Sequence, residues 1–272
     1  MYEEYWKLKD KPFENTPDPR FLYHSAQHEE GLYRLLYAVK EQKGAAIMTG
    51  VFGCGKTLLG RTMLKELGKD IYRVGYLSNP QMSYIELLMA IATSLGVSGL
   101  PTKKTEVLTN VVLNEIEKVL GNNMKDGRKT VVIIDEAHVI NDREVWEGLR
   151  LVLNYQLEDR FLLTLLLLGQ PELKENIDSN KQLAQRIAIR CHLGHMNQED
   201  AHNYVLHRLK IAGREEPLFT EDALKAIYAK SGGIPRRINH ICDLALLTGF
   251  GRKITSIDGH IISEVTKDLE GV

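Results

Sequence analysis

The run Gly50-Val51-Phe52-Gly53-Cys54-Gly55-Lys56-Thr57 constrains the fold more than any other stretch of the chain. It matches G-x-x-x-x-G-K-[ST] and lies between the apolar run Ala45–Thr49 and an amphipathic stretch over 57–67, which is the strand–loop–helix setting the pattern requires. Glycines let backbone N–H groups converge on phosphate oxygens, and the helix that follows adds its positive N-terminal end. In such a loop Lys56 reaches the β- and γ-phosphates and Thr57 offers a hydroxyl to magnesium. Gly50 through Leu58 is therefore the expected contact segment for ATP and Mg2+: Gly50, Val51, Phe52, Gly53, Cys54, Gly55, Lys56, Thr57 and Leu58.

Short apolar runs alternate with amphipathic stretches on both sides of this loop. Strands are predicted at Ala45–Thr49, Ile71–Leu77, Thr130–Asp135, Leu162–Leu168 and Ile187–Leu193, with helices around 57–67, 81–95, 105–120, 142–154 and 171–185. That alternation implies a parallel sheet with helices on both faces. Ser25 caps an earlier helix carrying Leu32, Leu35, Leu36 and Val39, and Gly44 stops it. After Met196 only helical patterns follow, near 198–212, 220–230, 234–248 and 258–268. The expectation is an α/β P-loop NTPase core of three layers over 25–195, a helical lid over 196–272, and an arm over 1–24 pinned by Tyr5, Trp6, Phe13, Phe21 and Tyr23.

Val131–Ile134 runs apolar into Asp135-Glu136, as a buried strand does when its end opens into a ligand crevice. Asp135 is the expected magnesium ligand with Thr57, and Glu136 the group that orients and deprotonates the attacking water. His138, in Asp-Glu-Ala-His, is expected as a satisfied structural histidine, and Cys54 as an inert small residue. Gln170, at the tip of the apolar run Phe161–Leu168, is a candidate to position water or sense the γ-phosphate. Arg186, just before the last strand, suits charge stabilisation across a subunit boundary, with a surface ion pair as the plainer alternative. Arg236 follows Gly232-Gly233-Ile234-Pro235 at a helix start and would point from the lid toward the nucleotide.

Composition narrows the partners. Thirty-five basic and thirty-six acidic side chains leave a net charge of −1, so no global field draws the chain to nucleic acid or an anionic membrane. Residues 194–272 carry ten Lys/Arg against eleven Asp/Glu, which is no basic platform, although Arg73, Lys103 and Lys104 could line a pore. Three cysteines without a C-x-x-C pair indicate neither a disulfide framework nor a zinc site and fit a cytoplasmic protein. No signal peptide and no membrane span is expected.

Together, Pro12-Phe13, Thr16-Pro17-Asp18-Pro19-Arg20-Phe21, Gly50–Thr57, Asp135-Glu136, Gly169-Gln170-Pro171-Glu172-Leu173, Gln185-Arg186-Ile187-Ala188, Pro217-Leu218-Phe219-Thr220 and Ser231-Gly232-Gly233-Ile234-Pro235-Arg236 resemble AAA+ ATPases of the general secretion pathway protein A family over practically the whole chain. The resemblance implies Walker A roles for Gly50–Thr57, Walker B roles for Asp135 and Glu136, sensors at Gln170 and Arg236, and an arginine finger at Arg186. It also implies assembly with copies of itself into a ring or filament, and a partner in secretion or cell-envelope machinery, with the chain peripheral to the inner membrane through that partner. Members serving type II secretion continue into a membrane span and a peptidoglycan-binding portion, whereas this chain stops at Val272, so a fragment or a stand-alone relative is expected. The same module is similar to DNA-binding regulators of transposition that recruit or activate a transposase. An ATP-gated scaffold with little turnover is the third alternative.

Overall fold

The computed structural model describes residues 1–100 and 108–270, without the side chain of Glu270. Lys103, Lys104 and the first residues of the helix predicted at 105–120 lie outside the described residues. Five parallel strands form one sheet in the order β2-β3-β4-β1-β5, with β1 at Ala45–Gly50, β2 at Tyr72–Leu77, β3 at Lys129–Ile134, β4 at Leu163–Gly169 and β5 at Ile187–Leu193. The central strands read as continuous apolar runs because both faces are covered. One face, with Ile47, Val132, Ile134, Leu165 and Leu167, packs in a core with α3 (Tyr84–Ser94), α4 (Thr109–Lys125) and α5 (Arg143–Val152). The other is met by α1 (Ala26–Lys40) and α2 (Lys56–Glu66), where a Cβ on Gly31 would lie 3.1 Å from Met48 and one on Gly60 2.9 Å from Leu168.

The single helix expected over 171–185 is two, α6 (Glu172–Ser179) and α7 (Lys181–Ala184). Asn180 separates them at φ −103° and ψ 87°, its side chain accepting from Leu183 N at 3.1 Å. A short amide that caps a new helix competes with continuing the old one. Four helices complete the chain: α8 (Gln198–Ile211), α9 (Glu221–Ser231), α10 (Pro235–Arg252) and α11 (Gly259–Glu270). No helix among the described residues is long and apolar enough to cross a membrane.

The chain divides into two compact units. One comprises Glu29–Phe52 with Leu59–Leu193 and holds the sheet; the other comprises Met1–His28, Gly53–Leu58 and Gly194–Val272. In the second unit the N-terminal arm belongs to the core of the C-terminal helices. Trp6, Phe13 and Phe21 are buried with residues of α8 to α11, and Trp6 Nε1 donates to Leu246 O at 2.9 Å. Arg208 on α8 is only 4% exposed and clamps the arm through charge-assisted bonds. Its guanidinium donates to Pro12 O, to Glu14 O at 3.0 Å and to Tyr204 Oη at 2.7 Å, and stacks 4.8 Å from the Phe21 ring. Tyr204 donates onward to Asn239 at 2.8 Å, and Asn239 donates to Asn15 at 3.0 Å.

Arg208→Ala leaves two arm carbonyls without their donor in a buried setting and should lower the stability of the unfolding transition by about 3 kcal/mol. Denaturant midpoints for the wild type and Arg208→Ala measure this, and equal midpoints would mean that the rings alone hold the arm.

Candidate functional site

The phosphate-loop candidate leaves β1 at Gly50 and enters α2 at Lys56. Two of its glycines take backbone conformations closed to most residues, with φ +82° at Gly53 and +103° at Gly55. Close neighbours reinforce the requirement. A Cβ on Gly53 would fall 2.6 Å from Arg236 Cβ, and one on Gly55 would fall 3.2 Å from His28 Nε2. Arg236 N donates to Gly53 O at 3.2 Å, so the N-terminus of α10 touches the loop at the residue preceding Cys54. Lys56 is 6% exposed and Cys54 is fully buried.

β3 ends beside β2 and β4, and that placement sets the carboxylates. Asp135, 3% exposed, donates its N–H to Leu77 O at 2.8 Å. Its Oδ2 accepts from the Tyr76 hydroxyl at 2.7 Å and its Oδ1 from Glu136 N at 2.9 Å, so a donor orients each oxygen of the carboxylate. Burial first, then the Asp135 carboxylate, push the Tyr76 hydroxyl well above its ordinary range, while Arg61 of α2 opposes them. Tyr76 thus stays a donor at every physiological pH.

Glu136 adopts the left-handed conformation, φ 54° and ψ 32°. For a residue with a long side chain this costs on the order of 1 kcal/mol and persists only when its surroundings enforce it. Here Asp135 Oδ1 holds Glu136 N and Val139 N returns to Glu136 O at 3.1 Å, closing the short turn Ala137–Val139. Gly169 allows the turn to approach, since a Cβ there would sit 3.0 Å from His138 N.

His138 is not the satisfied structural histidine that its sequence context suggested. Its Nε2 lies 2.8 Å from Gln170 Nε2, while its Nδ1, buried and without a hydrogen bond, lies 3.4 Å from Glu136 Oε2. The amide of Gln170 can only donate to that imidazole nitrogen, which fixes the proton of a neutral ring on Nδ1, facing Glu136. One imidazole therefore lies between Gln170, which donates to it, and Glu136, 3.4 Å from its other nitrogen.

Arg186 lies apart from this group. It precedes β5 at the edge where the parallel strands begin, whereas Gly50 ends β1 and Asp135 and Gln170 follow the ends of β3 and β4. Its Nη1 donates to Leu153 O at 3.0 Å, at the C-cap of α5. The other thiols offer no reactive centre: burial pushes Cys191 up to about 12, and Cys242 also rises by burial.

Tyr76 and His28 escaped the sequence reading. Tyr76 sits in a predicted strand with nothing to mark it until β2 is known to pair with β3, and His28 looks like an ordinary first-turn residue behind a capping serine.

Residues 39–177 match a family model described as an AAA domain. Over 275 aligned positions covering the whole chain, the sequence is 36% identical to general secretion pathway protein A of Aeromonas hydrophila, and it spans about half, 49%, of that protein. The ORC1 protein of Aeropyrum pernix, solved in complex with DNA, superposes with a TM-score of 0.72 over 97% of this chain and 70% of that one, at 16% identity. The RuvB Holliday junction branch migration motor of Thermotoga maritima gives 0.60 over 90% and 69%, at 18% identity. At such identities the likeness concerns the fold. With its parallel sheet, its loop after β1 and the match over 39–177, the chain belongs to the AAA domain family, has the α/β P-loop fold of AAA+ proteins, and is related along its length to general secretion pathway protein A.

Proposed function

We propose that this chain binds Mg-ATP through Gly50–Leu58 and hydrolyses it with Asp135 and Glu136, working as an assembly of identical subunits that rearranges a partner complex of the secretion or cell-envelope machinery. The observation that carries the chemistry is the strand order. β3, β4 and β1 are neighbours, and their carboxyl ends run into Asp135-Glu136, Gln170 and the glycine-rich loop, so three segments of complementary chemistry leave one edge of one sheet. The 36% identity to general secretion pathway protein A supports the biological setting.

In this reading the loop's N–H groups and Lys56 hold the phosphates, and Thr57 with Asp135 holds magnesium. The donor set suits that ion: a hydroxyl and a buried, oriented carboxylate are hard oxygens, and Mg2+ needs only one or two from the protein. Bound there, Mg2+ would neutralise charge on the phosphates. Tyr76 keeps Asp135 oriented. Glu136, aimed by its left-handed backbone, takes the proton of the attacking water, and His138 carries the position of Gln170 to it. Arg236, at the head of α10, senses the phosphates from the helical lid.

Glu136→Gln should bind ATP with affinity near the wild type while turnover falls about a hundredfold or more, measured by phosphate release and by titration with labelled nucleotide. Equal turnover would remove Glu136 from the reaction. His138→Ala should lower kcat by about tenfold with little change in KM, because it severs Gln170 from Glu136 without touching the phosphate loop.

Arg186 is assigned to the neighbouring subunit's nucleotide. Its place at the opposite edge of its own sheet from Asp135 and Gln170 supports action in trans. Arg186→Ala subunits, inactive alone, should regain activity when mixed with Glu136→Gln subunits, whose fingers are intact. Mixtures no more active than either component would sink the shared-site reading.

A further inference from the structure

A loop that cradles phosphate must turn its N–H groups inward, so its carbonyls face the protein, where each needs a donor. Glycine does not by itself secure that orientation. With Gly53 and Gly55 both at positive φ, the peptide planes on either side of Cys54 can turn over at little steric cost, and a turned plane would present a carbonyl oxygen to the anion.

Two donors from the same compact unit oppose this. Arg236 N holds Gly53 O at 3.2 Å, and His28 Nε2 lies 3.0 Å from Cys54 O. His28 is 4% exposed, and its Nδ1 lies 2.7 Å from Ser25 Oγ. A carbonyl only accepts, so Nε2 carries the proton, and in the neutral ring Nδ1 accepts from the Ser25 hydroxyl. Ser25 Oγ in turn receives His28 N at 3.4 Å as the cap of α1. Serine and histidine together make a small, fully assigned hydrogen-bond chain that ends on the loop.

We propose that His28 is the positioning residue of the phosphate loop: its Nε2–H fixes the Cys54 carbonyl outward and the Gly55 N–H inward, making nucleotide affinity depend on the N-terminal segment that carries it. The proposal rests on reading Gly50–Thr57 as the nucleotide loop. It extends that reading to a residue 26 positions away in sequence, in the first turn of α1, just after the arm that Arg208 clamps to the C-terminal helices.

Burial also holds the ring neutral. It lowers the tendency of His28 to take up a proton, with the Cys54 carbonyl and Asp200 on α8 pulling the other way and His24 reinforcing burial. A second proton would go on Nδ1, where the Ser25 hydroxyl would have to turn from donor to acceptor, while Nε2 keeps its proton for the Cys54 carbonyl.

The test compares wild type, His28→Ala, His28→Gln and Lys56→Ala for Mg-ATP affinity by fluorescent-nucleotide titration, with thermal melting of the nucleotide-free proteins alongside. His28→Ala should lose about tenfold or more in affinity with its nucleotide-free melting temperature close to wild type, and His28→Gln, whose amide can donate to the same carbonyl, should recover most of it. Wild-type affinity in His28→Ala, with Lys56→Ala defective, overturns the positioning role and leaves the loop assignment standing. Wild-type affinity in Lys56→Ala overturns the loop assignment itself. Should His28→Ala melt far below wild type, His28→Gln decides: a well-folded His28→Gln as weak as Lys56→Ala overturns the proposal, and one near wild type upholds it.

Discussion

The proposed site turns on one backbone problem, that a phosphate-holding loop must make consecutive N–H groups converge without letting the intervening carbonyls converge with them. β1 delivers the chain to Gly50 and α2 begins six residues later, at Lys56, so the turn has to be tight and left-handed at Gly53 and Gly55. Glycine makes those conformations accessible, and it equally makes them easy to leave. The hydrogen bonds from Arg236 N and the His28 ring supply the direction that glycine cannot. A loop of this kind is flexible by composition and defined by its neighbours.

A parallel principle operates at the carboxylates. Asp135 needs an orientation and Glu136 a backbone state that its residue type disfavours, and both are obtained from hydrogen bonds rather than from local preference. Tyr76 comes from the adjacent strand β2, Gly169 from the adjacent strand β4, and the Glu136 amide closes on Asp135 itself. Such contacts exist only once β3 lies between β2 and β4. Sheet order is therefore part of the site and not merely its scaffold.

The same distinction explains what could be read from the sequence. The five strands were legible because they are short apolar runs with both faces buried, and the glycine-rich pattern and Asp-Glu pair were legible because their chemistry needs particular residue types at fixed spacing. The break at Asn180 was not, since an asparagine inside an amphipathic run reads as a tolerable helix residue until its side chain is seen capping Leu183. Nor could His138 be separated from an ordinary buried histidine. Its neighbours, Glu136 and Gln170, lie at the ends of different strands, so the link between them is a product of β3 pairing with β4. Arginine 208 was equally silent: one more cation on an amphipathic helix, until its carbonyl partners in the arm appear.

Arg208 also bears on why an irregular arm of two dozen residues stays ordered. Pro12, Pro17 and Pro19 remove donors and, apart from the short 3-10 turn Pro19–Phe21, keep the segment out of helix and sheet, so carbonyls such as those of Pro12 and Glu14 find partners elsewhere. A lysine in place of Arg208 could satisfy one or two of them as a point charge, but only a planar fork can reach Pro12 O, Glu14 O and the Tyr204 hydroxyl at once while lying against Phe21. The rings of Trp6, Phe13 and Phe21 supply the hydrophobic adhesion, which is non-directional, and the guanidinium supplies the register. Register matters because the arm leads into the first turn of α1, where the His28 ring must reach the Cys54 carbonyl to within a hydrogen bond. A displacement of about 1 Å there would leave the rings buried and break the contact to the loop.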